Sequence, residues 1–284
     1  MTLMPNYTFI DTHCHFDFPV FSDLNKELSK AQEAGVCKIV IPATQQSGWE
    51  HLQSLSAQYP SIYYSLGLHP YFLDQHSCLE QNCFLGQHRL LDQQSESSLE
   101  QLDKALTKRD LKCVAIGECG LDFMLDASLL TEQNIQKQYQ LFDGQLQLAI
   151  KHNLPLIIHS RKSHDKILPR LRNNPPQKGG VIHAFSGSYQ QALEYVKLGF
   201  YIGVGGVITY QRANKTRQAI AQLPLNRLVL ETDAPDMPVF GYQGKANHPV
   251  HLLDIFDSLC VLRKEPKSEI AKQLWFNSCQ LFQI

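Results

Sequence analysis

The sequence predicts an α/β chain folded as a (β/α)8 TIM-type barrel, regular or distorted, with residues 1–284 forming a single domain. Two observations predict it. Eight short apolar, β-branched runs alternate with longer helical patterns, the signature of parallel strands joined by crossover helices. Several of those runs are also apolar nearly throughout, as strands covered on both faces must be. An open doubly wound sheet is the alternative. No glycine-rich phosphate loop follows any of the strands, which weakens a nucleotide-binding version of it.

Taken in order, the candidate strands are 9–12, 38–42, 62–67, 114–117, 154–159, 181–184, 200–204 and 228–232. Helical patterns run over 24–34, 49–59, 99–108, 131–152, 162–172, 189–198 and 212–223, and two more, near 250–263 and 268–278, close the chain. Gly35 and Gly199 stand where helix C-caps are expected. Pro266 and Ser268 mark the start of the last helix. Residues 75–98 are polar and irregular and read as a surface insertion. There is no internal repeat and no low-complexity tract.

The 284 residues are 43% hydrophobic, enough for one large core. With 26 basic and 27 acidic residues the charges nearly cancel, which excludes a broad electrostatic grip on duplex DNA or an anionic membrane. Any nucleic-acid role must rest on a local site. The eight cysteines are scattered with no Cys-x-x-Cys pair, so reduced thiols, a cytoplasmic location and no disulfide framework are expected. Met1 to Tyr7 carries no charged leader and no long apolar run, so neither a signal peptide nor a membrane span is expected. No obligate protein partner is evident.

The informative residues stand at the strand ends. Phe9 and Ile10 lead into His13 and His15, which point the same way on an extended backbone and converge just past a strand. Alone, a His-x-His pair is more often two polar residues opening a loop. Later strands repeat the theme with Gly67-Leu68-His69-Pro70, Ile116-Gly117-Glu118, Ile157-Ile158-His159, Val181-Ile182-His183 and Leu230-Glu231-Thr232-Asp233. In a barrel all those ends share one face, where active sites occur. Four His, one Glu and one Asp suit borderline divalent ions such as Zn²⁺ or Mn²⁺. Six ligands exceed the needs of one catalytic ion and suit two ions about 3.5–4 Å apart, able to bring the pKa of water toward about 7.

In these residues the chain resembles the TatD-type metal-dependent hydrolases of the amidohydrolase superfamily. The resemblance covers essentially the whole length. It rests on Asp11-Thr12-His13-Cys14-His15, Gly67-Leu68-His69-Pro70, Gly117-Glu118-Cys119-Gly120-Leu121-Asp122, Ile158-His159-Ser160-Arg161, His183-Ala184-Phe185-Ser186-Gly187 and Glu231-Thr232-Asp233-Ala234-Pro235. Asp233 to Pro238, with Gly241 to Gly244, looks most like the YjjV-like branch. The resemblance implies two divalent ions per subunit (Zn²⁺, Mg²⁺ or Mn²⁺). His13 and His15 would hold the first, His159 and His183 the second, and Glu118 would bridge them. Asp233 would ligate the first ion and take the proton from the nucleophilic water, a carboxylate role in general-base catalysis. It implies phosphodiester hydrolysis, often removal of nucleotides from a DNA 3′ end, so the expected partner is a nucleic-acid end or a small phosphodiester.

Two departures stand out. The family often has a second His after His-Pro, where this chain has Tyr71. That leaves His69 as the substrate-facing group or a residue supporting the ligands. Asn247-His248-Pro249 replaces a common Asn-Glu-Pro, which puts that loop's role in doubt. Arg161 is expected to fork onto a substrate phosphate or to bridge the barrel mouth. Ser160 and Ser186 would bond substrate or cap a helix. Asp122 is expected to be structural, Cys14 and Cys119 to be small buried hydrophobes, and the remaining histidines to be solvated or packing residues. The rival functions are hydrolysis of an amide, ester or lactone on the same fold, and a non-catalytic metal-binding barrel.

Overall fold

The computed structural model describes residues 7–78 and 96–284. Eight strands, all parallel, form one sheet in sequence order. They are β1 (Phe9–Asp11), β2 (Val36–Ile41), β3 (Ile62–Leu66), β4 (Cys113–Asp122), β5 (Leu156–Arg161), β6 (Gly180–Ile182), β7 (Tyr201–Val204) and β8 (Leu228–Leu230). The helices are α1 (Leu24–Glu33), α2 (Trp49–Gln58), α3 (Ser98–Thr107), α4 (Glu132–His152), α5 (His164–Asn173), α6 (Tyr189–Lys197), α7 (Asn214–Gln222), α8 (Leu252–Leu262) and α9 (Lys267–Phe282). All eight expected strands and all nine expected helices are present, and the open-sheet alternative falls because the two outer strands meet.

They meet through backbone and side-chain hydrogen bonds. Thr12 donates from its backbone N–H and from its hydroxyl to Leu230 O, at 3.0 and 2.8 Å. In return Asp11 accepts from the Thr232 backbone N–H and hydroxyl, at 3.0 and 2.5 Å. The barrel is thus shut at β1 and β8 by a carboxylate–threonine exchange.

Val40, Ala115, Ile157, Val181 and Val229 come from five different strands yet belong to one buried cluster, which Leu281 and Phe282 of α9 join. Residues from strands so far apart in the sheet can touch only across the barrel interior. The outer faces of the strands pack with the helices in a larger cluster that includes Ile39, Tyr64, Phe142, Ile158 and Ile202. Two apolar layers therefore hold the strand ends in place from inside and outside.

The strand bounds differ from expectation in one place that matters. The sequence suggests that the fourth strand stops at Gly117, but β4 continues to Asp122. Its register against β5 shifts between Ile116 and Cys119, after which Gly120 pairs with His159 and Asp122 with Arg161. That slip is what lets one strand deliver both Glu118 and Asp122 to the mouth.

Of the expected 75–98 insertion, 79–95 lie outside the described residues. Ser97 caps α3 reciprocally with Glu100. The seven described cysteines are free. No described helix is long and apolar enough to cross a membrane.

Candidate metal centre

Every strand-end residue singled out above lies at the mouth, and Glu118 stands at its middle. Glu118 is 2% exposed. Its Oε2 faces His13 Nε2 at 3.2 Å and His15 Nε2 at 3.7 Å. Its Oε1 faces His159 Nδ1 at 3.0 Å, and His183 Nε2 and His69 Nε2 at 3.3 Å each. Asp233 Oδ1 lies 3.5 Å from His13 Nε2 and 3.9 Å from His15 Nε2. Asp233 reaches that position from a left-handed backbone, φ 57°, which a short polar side chain tolerates better than most.

Three of the rings have a neighbour that decides which nitrogen faces inward. Asp122 Oδ2 lies 2.9 Å from His159 Nε2. That carboxylate accepts from the Nε2–H, which turns Nδ1 toward Glu118. Glu231 is fully buried and its Oε1 lies 3.5 Å from His183 Nδ1, so Nε2 is the inward lone pair there. Gly203 makes room for this: a Cβ on it would sit 2.5 Å from Glu231 Oε2. His69 is built the other way round. Its Nδ1 accepts from the Tyr71 N–H at 3.0 Å, so the neutral ring carries its proton on Nε2 and offers a donor. His76 Nε2, 3.0 Å from His69 O, fixes that backbone from behind.

The chemistry of this set fits divalent cations. His13 and His15 with Glu118, His13 and His183 with Glu231, and His69 and His159 with Glu118 make three groups whose candidate ligand atoms lie within 4.8 Å of one another. Both nitrogens of His13, His15 Nδ1, His183 Nδ1 and Glu231 Oε2 are buried without a hydrogen-bond partner. A buried orphan costs about 1–3 kcal/mol, and a cation at this point would satisfy several together.

The charge states of His13 and His15 agree. Burial holds the His13 ring well below its ordinary pKa and brings His15 to about 4, keeping both neutral as ligands must be. Burial works against ionisation of Glu118, but His69, His183 and His13 around it hold the carboxyl well below its usual range. Burial also opposes a charge on His183, yet Glu118, Asp233 and Glu231 together raise it to about 10. Protein alone therefore stabilises a positive charge there.

The structure brings together His13, His15, His69, Glu118, His159, His183 and Asp233. Arg161 ends β5, exposed, in register with Asp122 and with no ion pair among the described residues, so the expected bridge across the mouth is absent. Asp122, expected to be structural, supports the His159 ring. The sequence reading also missed the supporting roles of Glu231 and His76. Glu231 lies within a quoted motif, and its apolar strand was the available signal, since a carboxylate at the end of a buried strand needs a partner. His248, in place of the common Glu, has Nε2 3.1 Å from Glu27 Oε2, tying its loop to α1. Asn247 donates from Nδ2 to Thr232 O at 2.9 Å and to Met237 O at 3.2 Å. Cys14 and Cys119 are fully buried, with sulfurs near the Ala234 and Ile157 carbonyls.

A family model described as TatD related DNase matches residues 10–283. The Escherichia coli K12 protein named uncharacterized metal-dependent hydrolase YjjV is 47% identical over 277 residues, which is 97% of this chain and 98% of that protein. The crystal structure of the same E. coli TatD homologue superposes with a TM-score of 0.86 at 46% identity, covering 97% of this chain and 98% of the other. A protein of Erwinia tasmaniensis named 3′-5′ ssDNA/RNA exonuclease TatD is 28% identical over 92% of this chain and 94% of its own length.

Proposed function

From the membership of this chain in the TatD-related DNase family, we propose that it is a divalent-metal-dependent phosphodiesterase that removes nucleotides from nucleic-acid 3′ ends. The observation that carries this reading is the position of Glu118, with one oxygen toward His13 and His15 and the other toward His159 and His183. One carboxylate between two sets of imidazoles is what a pair of cations needs. The Erwinia relative's name supports the substrate class. Neutral imidazoles with carboxylates suit Zn²⁺ or Mn²⁺, with Mg²⁺ the harder alternative. The described cysteines are free thiols, which suits the reducing cytoplasm.

In this reading His13, His15 and Asp233 would hold one ion, His159 and His183 the other, and Glu118 would reach both. Bound ions would supply Lewis acidity to the phosphodiester cleavage. Asp233 would be the base, a carboxylate at the mouth that takes the proton from the attacking water. His69 donates from Nε2 to a phosphoryl oxygen. Arg161, unpaired among the described residues and exposed at the mouth, binds the substrate phosphate.

The near-neutral charge, 26 basic against 27 acidic residues, favours a second reading, hydrolysis of a small amide, ester or lactone. Metal-loaded protein incubated with labelled single-stranded DNA and with dipeptide, ester and lactone panels separates the two. Shortening of the DNA from its 3′ end supports the nuclease, and turnover of the small molecules alone overturns it. In the same assay Asp233→Asn should lower kcat by about 10²–10⁴-fold with an unchanged circular dichroism spectrum. Full activity in that variant would remove Asp233 from the proton transfer.

A further inference from the structure

A second cavity opens on the same face of the barrel, beside the mouth. It encloses about 280 Å³ between the Ser186–Gly187 turn after β6 and the first turn of α7, with Arg212, Lys215 and Thr216 in its wall. No carboxylate lines it.

Three independent features select an anion. The first is α7 itself, whose N-cap, Ala213, has no side chain to offer the free N–H groups of the opening turn, leaving partial positive charge aimed outward. The second is a pair of cations. Arg212 and Lys215 are exposed, and neither makes an ion pair among the described residues. Arg212 is held in place by the Tyr210 ring, 5.3 Å from the guanidinium, and Tyr210 is fixed in turn by its hydroxyl donating to Pro238 O at 2.7 Å. The third is Thr216, only 4% exposed. It lines the cavity, and its hydroxyl makes no hydrogen bond among the described residues. A hydroxyl that is free on a cavity wall can donate to a ligand oxygen there.

The donors approach from three sides: helix amides, cationic side chains and a hydroxyl. A tetrahedral phosphate has enough oxygens to meet all three, whereas a carboxylate has two. The cavity is also coupled to the metal centre through the chain. Ser186 lies in the turn that follows His183, and its carbonyl lies 3.5 Å from His164 Nε2. The other nitrogen of that ring is 3.0 Å from Ser160 Oγ, the residue after His159.

We propose that this cavity is a phosphate-binding subsite, separate from the metal centre, that grips a second phosphate of the substrate. A neighbouring nucleotide of a strand would supply it, which rests on the phosphodiester reading above. A free phosphomonoester is the other source of the same group.

Two binding experiments decide it. Inorganic phosphate titrated into the metal-free protein by calorimetry should bind, about tenfold more weakly when Arg212→Ala and Lys215→Ala are combined, and more weakly in Thr216→Val with the fold unchanged. Equal binding by wild type and the double variant, or binding by neither, overturns the subsite. In the second experiment a dye-labelled tetrathymidylate binds metal-loaded Asp233→Asn protein across a salt series. Removing the two cations should weaken it about tenfold and reduce the slope of log Kd against log salt by about one to two. Thymidine 5′-monophosphate, whose one phosphate the metals take, should be unaffected. Phosphate lost in the double variant while the strand binds both forms equally assigns the subsite to a phosphomonoester and overturns the strand as its source. Phosphate bound as expected without any DNA cleavage counts against the nuclease reading alone.

Discussion

At the scale of single residues, the centre is defined as much by what stands behind the ligands as by the ligands. Asp122 and Glu231 each meet the outer nitrogen of a ligand ring, and such supports are worth about 10–100-fold in metal affinity. Asp122→Asn should therefore weaken metal binding by about that factor while keeping the protein folded, measured by competition with a fluorescent chelator. Glu118→Gln should do more, emptying the centre of both ions, since its two oxygens serve both imidazole sets. Elemental analysis checks this, and two equivalents retained in Glu118→Gln would contradict the bridging role. The residues that gather at the mouth were legible in the sequence because each follows an apolar strand at matching phase. The tautomer of His69 was not, because it depends on one backbone N–H, that of Tyr71, turning back onto Nδ1.

At the scale of elements, the β4–β5 pair does the most positioning. A strand expected to be four residues long is ten, because the slipped register lets it keep pairing past Glu118. Propensity and periodicity do not report such a slip; it depends on how closely two backbones approach. Gly120 marks the closest approach. Its φ is 143°, and a Cβ would lie 2.0 Å from His159 O, a contact no side chain survives without moving the strand. Gly120→Ala is expected to destabilise by about 3 kcal/mol, combining overpacking with backbone strain, and to displace His159. Denaturant unfolding measures the first and metal content the second. A variant as stable as wild type would show that the pair has more freedom than its geometry allows. The helices were easier to read: all nine fall within a few residues of expectation, since amphipathic stripes and caps such as Ser188 with Gln191 are local signals.

At the scale of the whole molecule, burial of neutral imidazoles links stability to pH. His164 is packed among Ser160, Tyr195 and the Ser186 carbonyl, with Asp165 and Lys215 the charges near it, and burial holds it below its ordinary value of 6.5. In the unfolded chain it takes a proton near that value, so under more acidic conditions the unfolded state binds more protons and stability falls with pH. Acid release of the ions acts in the same direction. The thermal midpoint of the loaded protein should be level between about pH 8 and 7 and decline below about 6.5, less steeply in His164→Gln. An identical slope in both proteins would exclude His164 as a contributor. The barrel was legible as a whole because eight alternations leave few topologies, whereas the means of its closure was not, because it lies in side-chain and backbone bonds of Asp11, Thr12 and Thr232 rather than in a regular ladder. That closure has a mechanical consequence. Asp11 and Thr232 clasp the hoop across 221 positions of chain, a loop whose closure entropy is on the order of 5 kcal/mol from length alone. The earliest and latest metal-binding side chains hang immediately beyond the two halves of that clasp. Asp233 N–H donates to His13 O at 2.9 Å and His15 N–H to Ala234 O at 2.8 Å, so the same seam that shuts the hoop also sets the spacing of these side chains.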